Sequence, residues 1–121
     1  MYICRMKIAI SGSRNFTDQN RIDEVLDKYR DVCTLIIHGG CENSADILSE
    51  VWAKKNKIKI EIIKPNYIKY PNKSAPILRN KIITDKADML IAFWNKKSKG
   101  TKSTIDFAIK KGIETIIIEI I

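Results

Sequence analysis

Thr34-Leu35-Ile36-Ile37-His38-Gly39-Gly40-Cys41, followed by Ser44-Ala45-Asp46-Ile47-Leu48, is the stretch that decides the fold. Thr34 to Ile37 reads as a strand that ends at Gly39-Gly40, and a helix opens at about Ser44. The helix offers Ile47, Leu48, Val51 and Trp52 as its buried stripe. Lys54 and Lys55 suit the negative end of its dipole, and Asn56 can take the left-handed position after it. A strand, a glycine turn and a helix form half of a βαβ unit.

The same unit recurs on both sides. Lys7 to Ile10 reads as a strand stopped at Ser11-Gly12, before a helix capped by Thr17 or Asp18 with Ile22, Val25, Leu26 and Tyr29 on one face. Ile58 to Ile63 alternates apolar residues with Lys59 and Glu61, which suits an edge strand. Lys64 to Ser74 holds Pro65 and Pro71 and reads as the longest loop, carrying Tyr67 and Tyr70. A helix runs from about Ala75 towards Lys86, with Pro76 tolerated in its first turn. Met89 to Phe93 is a strand, Thr101 to Lys111 a helix closed by Gly112, and Thr115 to Ile120 the last strand. The expected fold is α/β: a single Rossmann-like domain over residues 1–121, with a five-stranded, mostly parallel sheet and helices on both faces.

A chain of 121 residues has room for one core. Its net charge of +8 favours anionic partners, although a Lys/Ile-rich composition produces the same excess without any partner. Cys4, Cys33 and Cys41 lack metal-ligand spacing and His38 is the only histidine, so neither a metal site nor a cofactor is expected. Free thiols suit a reducing compartment, no signal-peptide cleavage pattern follows Met1 to Ser11, and no apolar stretch is long enough for a bilayer. A cytoplasmic protein without a membrane partner is the expectation.

In open parallel sheets, ligands bind beyond the C-terminal strand ends. Three loops there carry suitable groups. Ser11-Gly12-Ser13-Arg14 offers a backbone that a phosphate can approach, hydroxyls and a guanidinium fork; the alternative is an ordinary tight turn. Gly39-Gly40, ahead of a helix start, reads as an anion site. Asp46 behind it can accept a ribose hydroxyl or simply favour the helix dipole. Ser98-Lys99-Gly100-Thr101 leads into another helix and suits a phosphate, while Trp94 either stacks on a base or packs at the sheet rim. Arg79-Asn80 lies inside the third helix, where an arginine ordinarily pairs with a surface carboxylate. His38 reads as a packed strand-end residue. Cys41 has no second histidine to activate it, and no catalytic residue is assigned.

Taken in order, Gly12-Ser13-Arg14-x-Phe16, His38-Gly39-Gly40 with Ala45-Asp46, Arg79-Asn80, Ala87-Asp88-x-Leu90-Ile91-Ala92-Phe93-Trp94 and Ser98-x-Gly100-Thr101-x-x-Thr104-Ile105 form a series. It resembles the YspA, cpYpsA-related branch of the SLOG superfamily, which also holds the LOG phosphoribohydrolases and the DNA-processing protein DprA. The resemblance spans about residues 7 to 119. It implies a Rossmann-like fold that binds a nucleotide or nucleotide-derived ligand, ADP-ribose-like in kind. Gly12, Ser13 and Arg14 would line the first loop, and Gly39, Gly40 and Asp46 the second. Arg79 and Asn80 would reach in from the helix, Ser98, Gly100 and Thr101 would hold phosphate, and Trp94 would border the base or sugar.

The chain departs from the pattern at three positions. Ser44 stands where a glycine usually precedes Ala-Asp, and Pro76 where the family often has glycine. Thr104 takes the place of the glutamate in the LOG motif PGGxGTxxE, and a hydroxyl cannot replace a carboxylate beside an oxocarbenium-like state. Binding is therefore expected ahead of catalysis. The alternatives are LOG-like hydrolysis of a nucleoside 5′-monophosphate, using Asp46 or Glu42, and DprA-like binding of single-stranded nucleic acid. The latter ranks last because no aromatic-and-basic stripe is evident. LOG relatives are commonly dimeric, so a homo-oligomer, dimer or higher, is expected by analogy.

Overall fold

The computed structural model describes residues 5–70 and 74–120. Cys4 and Pro71 lie outside them. The elements follow in the order β1 Met6–Gly12, α1 Gln19–Asp27, β2 Cys33–His38, α2 Ala45–Lys55, β3 Lys59–Ile62, α3 Ser74–Lys86, β4 Met89–Trp94, α4 Lys99–Lys111 and β5 Glu114–Glu119. The five strands lie in the order β3-β2-β1-β4-β5, and every neighbouring pair is parallel. The Rossmann-like α/β architecture is as the alternation of elements predicts.

The helices divide between two faces, and alternation along the strands explains why. Ile8, Ile10, Ile36, Met89, Ile91 and Phe93 meet Ile22, Val25 and Leu26 of α1 and Trp52 of α2 in one core cluster. Ala9, Ile37, Leu90 and Ala92, their neighbours in sequence, point to the opposite face and meet Ile83 of α3 and Ile105 and Ala108 of α4. β1 and β4 are thus covered on both sides, and β3 is an edge strand as its alternation indicates.

Helix boundaries follow local chemistry. Asp18 is the cap of α1, its carboxylate accepting the Arg21 amide at 3.0 Å. Gly112 closes α4 at φ 85°, a left-handed position that suits glycine. After α2 the left-handed residue is Lys57 (φ 57°), not Asn56, which stays at φ −99° and donates its side-chain amide to Trp52 O at 2.9 Å. α4 starts at Lys99, earlier than Thr101, because Ser98 is an effective cap.

The buried face of α2 differs from the expected stripe. Ala45, Ser49, Trp52 and Ala53 are buried, Ile47 and Leu48 are half-buried, and Val51 is 50% exposed. The reason is close approach to the sheet. A Cβ on Gly12 of β1 would lie 2.6 Å from Ala45 Cβ and 3.2 Å from Ala45 N. Only small side chains at one-turn spacing let a helix sit so near a strand, and that requirement displaces the larger aliphatics to the flanks. Trp52 reaches across to α1, donating its indole N–H to Asp27 Oδ1 at 2.9 Å.

Candidate functional site

β1 leads through α1 to β2 on one side, whereas β4 lies on β1's other side, so the strand order switches between β1 and β4. Beyond the strand ends lies a cavity of about 320 Å³. Its walls come from the end of β1, the loop after β2, one face of α3 and the first turns of α4. Of the residues singled out from sequence, Gly12, Arg14, Gly39, Asp46, Arg79, Asn80, Ser98, Gly100 and Thr101 line it. Ser13, Gly40 and Trp94 do not.

Each of those three is engaged elsewhere. Ser13 is fully buried; its amide donates to Phe93 O at 2.9 Å and its hydroxyl accepts the Asn95 amide at 3.1 Å. It therefore ties the β1 loop to the end of β4. Trp94 packs against the core beneath α3 and α4, and its indole N–H donates to Ser98 O at 3.1 Å, which steadies the cap of α4. Gly40 takes φ 74° and turns its amide inward.

That inward turn extends to the whole loop after β2. The Gly39 and Cys41 amides donate to Asp46 Oδ2 at 3.2 and 3.0 Å, and the Gly40 amide donates to His38 Nδ1 at 2.9 Å. Three consecutive N–H groups are thus satisfied by the chain itself. The glycine pair does not offer them to an anion, and Asp46 acts as the clamp of its own loop. Ser44 completes the turn: its hydroxyl donates to Cys41 O at 2.8 Å and accepts the Asp46 amide at 3.1 Å. Burial raises the Asp46 carboxyl from 3.8 to about 6, against the opposing pull of the two loop amides and the Arg79 guanidinium.

His38 is fully buried, and burial holds its pKa below the ordinary value despite Glu50 nearby. With Nδ1 accepting from Gly40, the neutral ring carries its proton on Nε2. Glu50 Oε1 stands 3.6 Å away, beyond hydrogen-bond reach. The histidine packs at the end of its strand.

Among the described residues Arg79 has no carboxylate partner. Its Nη1 donates to Gly39 O at 2.8 Å and its Nε to Asn80 Oδ1 at 2.9 Å. A Cβ on Gly39 would fall 2.6 Å from Arg79 Nη1, so only glycine leaves the guanidinium in this place. Asn80 continues the relay, its side-chain amide donating to Gly100 O at 3.3 Å. One chain of hydrogen bonds runs from the β2 loop through α3 to the first turn of α4.

At that turn Ser98 Oγ accepts the Thr101 amide at 3.3 Å and lies 3.1 Å from Thr101 Oγ1. Thr104 donates its hydroxyl back to Gly100 O at 3.1 Å. The amides of Lys99 and Gly100 find no acceptor among the described residues, and nothing lies within 4 Å of where a Gly100 Cβ would be. The N-terminal partial charge of α4 is therefore open to the cavity. Ser11, read from sequence within its hydroxyl-bearing loop, lines the cavity, and so do Cys41, which the sequence argument discounts, and Pro76, to which it gives no binding role. The signal for Cys41 was adjacency to Gly40, and for Pro76 a place one turn before Arg79 on α3.

Among the described residues no helix is long and apolar enough to cross a membrane. Comparison with curated proteins gives no match. The model of the YspA, cpYpsA-related SLOG family matches residues 6–70, more than half of the chain. The chain belongs to that family of nucleotide-related Rossmannoid proteins.

Proposed function

From this membership and the geometry of the cavity we propose that the chain binds a nucleotide or nucleotide-derived metabolite, ADP-ribose-like in kind, with a phosphate against the first turn of α4. The observation that carries the reading is the uncommitted amide of Gly100 at the start of α4, opening on a cavity that Arg14 and Arg79 also line. A helix N-terminus and two guanidinium groups favour the same sign of charge. The binding unit extends past residue 70 into α3 and α4, which supply half of the cavity wall. We take the protein to work in the cytoplasm as a homo-oligomer, dimer or higher. Sedimentation velocity tests the assembly, and a monomer at micromolar concentration refutes it.

Thermal unfolding with AMP, ADP-ribose, its cyclic forms, NAD and a short single-stranded DNA tests the ligand. A ligand at a hundred times its Kd adds about 2.7 kcal/mol of stability. For a domain of this size the melting temperature then rises on the order of 10 °C. Silence from every nucleotide refutes the reading, and a response to DNA alone replaces it with strand binding.

One observation favours a second reading. Asp46 lines the cavity with a carboxyl raised to about 6, suited to proton transfer near neutral pH. Hydrolysis of an N-glycosidic bond would then use Asp46 where LOG enzymes use the glutamate replaced here by Thr104. Release of free base that Asp46→Asn abolishes supports it. No release over hours at high protein concentration removes it, and binding is preferred because Asp46 already serves two loop amides.

A further inference from the structure

The peptide group between Gly39 and Gly40 is clamped at both of its polar ends. Its carbonyl oxygen accepts Arg79 Nη1 at 2.8 Å, and its N–H donates to His38 Nδ1 at 2.9 Å. The two torsions that rotate this plane are ψ of Gly39 and φ of Gly40, and neither residue has a Cβ to hinder them. Gly40 stands at φ 74°, and a half-turn of the plane carries that torsion to a negative value that any residue adopts. The amides on either side, of Gly39 and Cys41, are held by Asp46 and need not move with it.

His38 governs which way the plane faces. The ring is fully buried, and among the described residues its Nε2 is a buried side-chain atom with no hydrogen-bond partner. Glu50 Oε1 of α2 stands 3.6 Å from that atom and is the charged group that acts on the ring. Asp46 of α2 is turned to its loop amides, and Arg79 of α3 lies across the peptide. β3 meets the ring with Ile62, its register partner, while Glu61 of that strand pairs with Lys86. A neutral ring accepts at Nδ1, whereas an imidazolium has donors at both nitrogens. Protonation therefore sets Nδ1–H against the Gly40 N–H and gives Glu50 a cation at Nε2. The acceptor that Nδ1–H then needs is the Gly39 carbonyl, at the other end of the same peptide.

We infer that the Gly39–Gly40 peptide is an acid-operated switch: protonation of His38 flips it, so that Gly39 O accepts from His38 and the Gly40 N–H turns towards Arg79. The flip frees the Arg79 guanidinium, which lines the cavity, and sets an amide beside it. Amide and guanidinium repel each other until an anion lies between them, so a proton on His38 and an anion in the cavity favour the same form. The inference rests on the reading that the cavity takes an anion, not on which nucleotide carries it. Burial works against the imidazolium, so without an anion the flip belongs below the ordinary histidine range.

Nitrogen NMR of the full chain, isotopically labelled at histidine and glycine, follows the ring and the Gly40 amide together as pH is lowered. At neutral pH the ring should carry its proton on Nε2, and the Gly40 amide resonance should move with the His38 titration. Sulfate, ionised throughout, is the anion probe. At about ten times its Kd for the flipped form it should raise the His38 midpoint by about one pH unit. Glu50→Gln should lower the midpoint and leave the neutral-pH Gly40 signal in place. Gly40→Ala disfavours φ 74° and sets a Cβ 3.1 Å from Ile62 Cγ2, so it should populate the flipped form without the proton and tighten sulfate binding at neutral pH. A purely structural Gly40 would instead lose sulfate affinity on that change. The switch is overturned by a proton on Nδ1 at neutral pH, by a Gly40 amide that ignores the His38 titration, or by a midpoint that sulfate leaves unmoved. A midpoint that sulfate raises while every nucleotide stays silent keeps the switch and removes the nucleotide reading.

Discussion

Asp46→Asn should change how stability depends on pH more than it changes stability at any one pH. The carboxyl is 5% exposed and raised from 3.8 to about 6, first by burial. A raised carboxyl pKa means that the folded state holds the proton more tightly than the unfolded chain does. Its contribution is fully favourable below the unfolded value near 3.8 and is lost as pH rises through about 6. Above that the cost is constant, on the order of 3 kcal/mol for a displacement of this size. Asparagine retains a carbonyl oxygen for the Gly39 and Cys41 amides but cannot ionise, so its stability lacks this component. Any fixed penalty from its extra N–H is independent of pH and cancels in the comparison. Urea unfolding of both proteins between pH 4 and pH 7 reads the effect. The difference, Asn variant minus wild type, should rise by roughly 2 kcal/mol across that range and then level off. Parallel profiles would refute the reasoning. So would a difference that moves towards the wild type with rising pH, since Arg79 and the loop amides would then outweigh desolvation.

Three further outcomes follow from close contacts and burial. Gly39→Ala places a Cβ 2.6 Å from Arg79 Nη1, so the guanidinium must leave Gly39 O; calorimetry should show weakened nucleotide affinity with the urea midpoint little changed. Gly12→Ala drives a Cβ against Ala45 Cβ and the Ala45 backbone, which cannot swing away, and should cost about 1–3 kcal/mol by urea unfolding. Burial pushes the Cys33 thiol up to about 11, so peptide mapping after brief iodoacetamide treatment at pH 8 should find Cys41 alkylated before Cys33. Equal labelling of the two would mean that β2 opens readily at its start.

Much of the fold was legible because its signals are local. Alternating apolar runs, the stops at Gly12 and Gly39, the cap at Asp18 and the close at Gly112 each depend on a few neighbouring residues. The stripe of α2 was misread because hydrophobicity does not reveal how near a helix must come to a strand. Gly12 and Ala45 decide that distance together, and they lie in different βα units. The site was legible as a set of loops but not as a set of roles. Sequence position brought Arg14, Asp46, Arg79 and Gly100 to one rim, as parallel-sheet topology requires.

By itself, then, the sequence determined the order of elements, the parallel sheet and the end of the sheet at which the cavity lies. Tertiary structure alone decided which polar groups around it remain free. A buried N–H or carbonyl must find a partner on folding, and the partner is commonly remote. Arg79 is taken by Gly39, 40 residues away in the chain, and Ser13 by Asn95, 82 residues away. The Lys99 and Gly100 amides and the Arg14 fork are left over only after those distant bonds have formed, and no local reading of residues can anticipate that remainder.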